Sequence, residues 1–168
     1  MKISHKILVL SFLPTVLWAQ RIALPQPIKQ SLDSLYHGWR LSPVTVELAN
    51  AFFSSDTLAG SVVQADFDDS GSKDYAVQIT CELNRQLTRI ILLYLSKGKD
   101  FSPLEVTSFP EDDQYYLGVR TKGTIAYDFR KEKYFHFQSD ALEIGFAGKA
   151  GVSYILKGKS FQEVVTAD

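Results

Sequence analysis

"LTRIILLYLSKGKDF", Leu87 to Phe101, is the stretch from which the fold can be read. An apolar run of β-favouring residues ends abruptly in Ser-Lys-Gly-Lys-Asp, the pattern of a strand delivered into a tight turn. The end of that pattern recurs at residues 154–161, where "YILKGKSF" matches "YLSKGKDF" at 94–101 in Tyr, Lys, Gly, Lys and Phe. The copies stand sixty residues apart, and each follows an aspartate-led strand, "DYAVQI" from Asp74 and "DALEIGF" from Asp140. Five positions coinciding in order predict two sheet units of one plan, each closing a hairpin at Lys-Gly-Lys.

The same signals extend in both directions. From Pro43 onward short runs rich in Val, Ile, Tyr and Phe alternate with Gly, Lys and Asp turns. "VTVEL" at 44–48, "SVVQADF" at 61–67 and "DYAVQITC" at 74–81 precede the central run. "LEVTSF", "YYLGVRT", "TIAYDF", "KYFHFQS", "ALEIGF", "GVSYILK" and "FQEVV" follow it. All read as strands, and their close spacing argues for antiparallel sheet rather than alternating βαβ units. One helix is expected ahead of them: Ile28, Leu32, Leu35 and Trp39 recur at helical spacing, Pro27 suits a first turn, and Gly38 suits an end. The expected fold is α+β, mostly β, with this N-terminal helix packed on antiparallel sheet.

Composition sets outer bounds. Apolar residues make up 45% and aromatics 12%, enough core for one domain in 168 residues but not comfortably for two. The formal charge of −1 offers no polybasic field, so no nucleic-acid partner is expected. Residues 1–19, "MKISHKILVLSFLPTVLWA", read as a signal peptide: Lys2 and Lys6 form the basic start, Ile7 to Trp18 the apolar stretch, and Ala19 the small residue before a cut. That stretch is too short, and too interrupted by Pro14, to span a bilayer as a helix. Export to the periplasm or beyond is expected, leaving a single β-rich domain over 20–168 with no membrane span. Losing two lysines takes the charge from −1 to −3. Cys81, the one cysteine, reads as a buried thiol at a strand end.

Between two expected strands lies "ADFDDSGSKDYAV". Counting Asp66 as position 1 places Asp68 at 3, Ser70 at 5, Gly71 at 6, Ser72 at 7 and Asp74 at 9. A hard cation takes six to eight oxygens at about 2.3–2.6 Å, and a tight turn can present alternate side chains and one backbone carbonyl inward. Asp66, Asp68, Ser70, Ser72 (through its carbonyl) and Asp74 are therefore the expected metal ligands, with water completing the shell. Val77 stands at position 12, where an EF-hand needs glutamate, and the flanks are strands.

The same thirteen residues resemble the calcium loop of FG-GAP/VCBS-type repeats, which have a "DF-x-x-D-G-x-x-D" core followed by an apolar strand. The chain is also similar to small exported bacterial proteins carrying one such loop, a "DYAV" strand and a terminal "GKSFQEV"-like hairpin. The resemblance implies propeller-blade-like hairpins, Ca²⁺ as the bound ion, and ligand roles for Asp66, Asp68, Ser70, Ser72 and Asp74.

Enzymatic alternatives use the same carboxylates. "VVQADFDDS" superficially matches a phosphatase start in which Asp66 attacks phosphorus and Asp68 is the general acid beside Mg²⁺. That chemistry needs a helix and a parallel sheet, and a β run follows instead. A glycosidase pair could be drawn from Asp66, Asp68, Glu111 and Asp112. No G-x-S-x-G occurs, and after export only His37 and His136 remain. Tyr115, Tyr116, Tyr127, Tyr134, Phe135 and Phe137 could line a groove for sugar or peptide, but aromatics in strands belong mostly to the core. The sequence favours an exported, non-catalytic binding or structural module holding Ca²⁺, its partner an envelope or extracellular protein or glycan. The alternative is a metal-dependent hydrolase, phosphatase or glycosidase, using Asp66 and Asp68.

Overall fold

The computed structural model describes residues 22–111, 115–146 and 151–166; the expected leader at 1–19 and Asp112 lie outside them. The run from Leu87 is a strand, β4 (Gln86–Lys97), between β3 (Asp74–Leu83) and β5 (Asp100–Pro110), all antiparallel. The far side of β3 is shared. β2 (Val62–Ala65) pairs with its first half, from Ala65↔Asp74 to Val62↔Val77, and β1 (Arg40–Leu41) with its second, Leu41↔Ile79 and Arg40↔Thr80. A second sheet runs β6 (Tyr115–Arg120), β9 (Ala141–Phe146), β10 (Gly151–Lys157), β11 (Ser160–Thr166), again antiparallel throughout. Between β6 and β9 the chain makes a separate hairpin, β7 (Ile125–Asp128) with β8 (Lys133–His136).

These pieces stack in layers. The helix α1 (Gln26–Leu35) lays Ile28 and Leu32 on one face of the first sheet, against Val77, Ile79, Ile90, Leu92 and Tyr94. The opposite face gives Ala76, Ile91 and Leu93 to a core shared with Leu117, Leu142 and Ile144 of the second sheet. The outer face of the second sheet packs Ala141, Ile155 and Val164 against Phe137, Ala126 and Phe135 beside the β7–β8 hairpin. Strand β4 therefore feeds two cores alternately, which explains its unbroken apolar run: a strand buried on both faces has no polar side to show. The α+β, mostly β fold with a helix on antiparallel sheet is as expected.

The internal echo is structural as well. The two Lys-Gly-Lys segments close the β4–β5 and β10–β11 hairpins, with Lys97 opposite Asp100 and Lys157 opposite Ser160. Gly98 and Gly158 have φ of 68° and 66°, a conformation glycine takes without penalty at the first central position of a two-residue hairpin loop. Tyr94 faces α1, and its counterpart Tyr154 faces the first sheet, so corresponding faces of the two units point the same way. The two units are stacked four-stranded antiparallel meanders, β2–β5 and β6, β9, β10 and β11, with β1 also paired to β3 in the first sheet. Their outer faces are taken by α1 and by the β7–β8 hairpin.

Three local expectations are corrected. "VTVEL" is not a strand: Thr45 Oγ1 accepts the Leu48 N–H and starts a short helix, α2 (Val46–Phe52), with Glu47 in its first turn and Leu48 and Ala49 buried. The alternation was real but too short to outweigh a good N-cap followed by helix-compatible residues. Helix α1 stops at Leu35, which is 56% exposed, so Trp39 lies beyond it; its Nε1–H bonds Asp33 Oδ1 at 2.8 Å while the ring packs on the helix-side core. Tyr134, expected in the core, is 77% exposed because the β7–β8 hairpin is the last layer and covers only one of its own faces.

The hairpin turns lead to a direct test. Asn84 and Arg85 join β3 to β4 with φ of 53° and 64°, a type I′ pair in which arginine is strained and glycine is not. Arg85→Gly is expected to raise unfolding free energy by about 0.5–1 kcal/mol, and Gly98→Ala to lower it by about 1 kcal/mol, in urea denaturation. Equal effects at the two turns would contradict the backbone argument.

Candidate metal centre

The acidic turn is the connection from β2 to β3, and its geometry follows from short side chains bonding nearby amides. Asp66 accepts the Ser70 N–H on Oδ1 at 2.8 Å and the Gly71 N–H on Oδ2 at 2.7 Å. Asp68 Oδ1 also accepts the Ser70 N–H, at 3.1 Å, and Ser70 Oγ accepts that of Ser72 at 3.3 Å. The chain reverses through Asp69 and Gly71, with φ of 58° and 83°. A Cβ on Gly71 would touch nothing, so glycine is wanted there for backbone freedom, not for space.

Asp74 differs from the others. As the first residue of β3 it is fully buried, and each carboxylate oxygen takes one backbone N–H: Oδ1 from Ser96 of β4 at 2.8 Å, Oδ2 from Phe67 at 2.9 Å. Burial raises its pKa above the ordinary carboxylate value; the Ser96 N–H opposes this, the nearby Asp68 charge adds to it, and the Phe67 N–H opposes it again. One buried carboxylate thus ties the end of β4, the start of β3 and the entry to the turn.

Asp66, Asp68 and Asp74 converge: each offers a carboxylate oxygen, and these lie within 4.8 Å of one another. Unit charges 4 Å apart repel by about 4 kcal/mol at an effective dielectric near 20, so such a group favours a cation between its members. These three residues can hold a metal ion. Ser70 and Ser72 lie in the same turn, exposed to solvent, and form hydrogen bonds inside it.

Three residues outside the expected set belong to the site's surroundings. Ser96 supplies the amide just described. Asp140 Oδ2 accepts the Asp66 N–H at 3.3 Å, and Lys122 Nζ bonds Asp69 at 2.8 Å, which raises the lysine pKa through that bond and then through the carboxylate charge. The aspartate-led strand at Asp140 was the one signal in the sequence for this; nothing there points to Lys122 or Ser96.

Other expected residues lie elsewhere. Glu111 accepts from Thr80 Oγ1 at 3.2 Å and pairs with Arg40 at 3.1 Å. Thr80 stands six residues along β3 from Asp74, roughly 20 Å by strand rise, so Glu111 and the acidic turn cannot flank one glycosidic bond. Cys81 is a free, buried thiol whose pKa is raised by burial, the opposite of activation. His136 is exposed, with Nδ1 at 2.7 Å from Gln138 Nε2. No helix among the described residues is long and apolar enough to cross a membrane. The chain matches no protein-family model, no curated protein and no solved structure.

The two kinds of carboxylate make different predictions. Asp74→Ala leaves the buried Phe67 N–H unpaired, at about 1–3 kcal/mol, and the partly buried Ser96 N–H as well, whereas Asp68→Ala on the exposed rim costs less than about 1 kcal/mol. Urea unfolding in chelator measures both, and the reverse order would remove Asp74 from its structural role.

Proposed function

We propose that this protein is an exported, non-catalytic binding or structural module whose acidic turn takes up one Ca²⁺. The observation that carries the reading is the convergence of Asp66, Asp68 and Asp74 in a turn between two strands. Ca²⁺ tolerates irregular oxygen shells of six to eight ligands, whereas Mg²⁺ demands near-octahedral geometry and keeps its waters. The Ser72 carbonyl, Ser70 and solvent complete the shell. The likeness of this turn to FG-GAP/VCBS-type loops supports the choice of ion. By binding the folded form alone, the ion stabilises the β2–β3 connection.

The hydrolase alternative gains nothing from the surroundings of the turn. Strand β3 follows it directly and pairs antiparallel on both sides, so among the described residues no helix N-terminus follows Asp66 to receive a phosphate. The signal-like leader supports a periplasmic or secreted location, and an envelope or extracellular protein or glycan is the partner this location offers.

Thermal melts test the reading. With Ca²⁺ in excess over its Kd by about a hundredfold, unfolding free energy rises by about 2.7 kcal/mol relative to chelator, and Asp66→Ala abolishes the rise. A melting temperature indifferent to Ca²⁺ in the wild type would end the proposal; an equal response to Mg²⁺ would end the assignment of the ion.

A further inference from the structure

The acidic turn is bonded from outside by two residues that flank strands of the second sheet, Asp140 and Lys122. Asp140, just before β9, accepts the Lys122 N–H on Oδ1 at 2.8 Å and the Asp66 N–H on Oδ2 at 3.3 Å. Lys122 reaches back in the other direction, with Nζ at 2.8 and 2.9 Å from the two oxygens of Asp69. Asp140 and Lys122 thus bridge the β6–β7 connection and the β2–β3 turn both ways.

Comparison of the two units shows which part of this is additional. In the first, Asp74 catches the N–H two residues past the end of β2, that of Phe67; in the second, Asp140 catches the N–H two residues past the end of β6, that of Lys122. The oxygen left over on Asp74 stays within its own sheet, on Ser96. The one left over on Asp140 crosses to the other sheet. A simple loop cap accounts for the first bond and not for the second.

We propose that Asp140 is a clasp between the two sheets, a positioning residue that couples the order of the acidic turn to the β6–β7 connection. A carboxylate bonded to two amides just past strands of separate sheets restrains their separation, and charge-assisted bonds of this kind are the stronger ones. The turn and the connection therefore open together or not at all.

Amide hydrogen exchange in the presence of chelator tests the clasp without any cation. Asp140→Ala is expected to speed exchange at Asp66, Ser70, Gly71 and Lys122 together by about tenfold, while Ile91 and Leu93 in β4 stay as in the wild type. A loss confined to Lys122, or an equal loss along β4, overturns the coupling. If Asp140→Ala yields no folded protein, Asp140→Asn, which keeps the volume and only one acceptor oxygen, carries the test: faster exchange at Asp66 and Lys122 together supports the clasp, and unchanged exchange overturns it. A second arm rests on the Ca²⁺ reading: titrated with Ca²⁺ alone, Asp140→Ala binds about tenfold more weakly than the wild type. A wild type that ignores Ca²⁺ fails that reading and leaves the exchange result to judge the clasp.

Discussion

The first sheet is buried on both faces, and most of the structure depends on that. Ile90, Leu92 and Tyr94 go to the helix while Ile91 and Leu93 go to the second sheet, so β4 can move toward neither side without opening a core. The side-chain amide of Gln78 in β3 is buried without a hydrogen-bond partner among the described residues. A polar group buried with these strands costs stability unless it is bonded internally. Asp74 shows the consequence: at the foot of β3 and out of reach of water, its carboxylate spends both oxygens on backbone amides. The buried pair Ser42 Oγ and Thr80 Oγ1, 2.7 Å apart, with Glu111 receiving the Thr80 hydroxyl, does the same toward the far end of β3.

The two four-stranded meanders are one plan used twice, and the place where they differ is the place where function is proposed. In the first, β2 and β3 are joined by the short acidic turn. In the second, the corresponding connection is expanded into the β7–β8 hairpin, which covers the outer face of its own sheet. Among the described residues the acidic turn therefore occurs in the first unit and not at the corresponding place in the second. That turn also sits where the units meet, with Asp66 and Asp69 bonded to residues of the second.

Electrostatics gives the turn its particular character. Three carboxylates are drawn together by amides that the chain itself supplies, at Ser70, Gly71, Phe67 and Ser96. These bonds fix the backbone, and one carboxylate oxygen from each aspartate lies within 4.8 Å of the others. Asp74 is the buried member, its pKa raised first by that burial, and a positive neighbour would offset the cost of its charge. The proposed ion would supply that charge, and the clasp at Asp140 would hold its cradle against the second sheet.

The sequence alone determined the class of fold, the two glycine hairpins and the presence of Asp66, Asp68 and Asp74 in one turn, because each is encoded by neighbours in the chain. Strand runs, a helical stripe at Ile28 and Leu32, Lys-Gly-Lys turns and aspartates at alternate positions are local patterns, and local patterns survive without knowledge of the fold. Where two local signals competed, at Val44–Leu48, the cap at Thr45 prevailed over a short alternation, and the end of α1 before Trp39 was likewise beyond the reach of spacing alone. Only the tertiary structure decided that Asp74 is buried, that Glu111 belongs to the other end of β3, that Tyr134 faces solvent, and that Asp140 and Lys122 hold the turn. Each of these depends on how two sheets stack, a relation between residues tens of positions apart that no single stretch of chain contains.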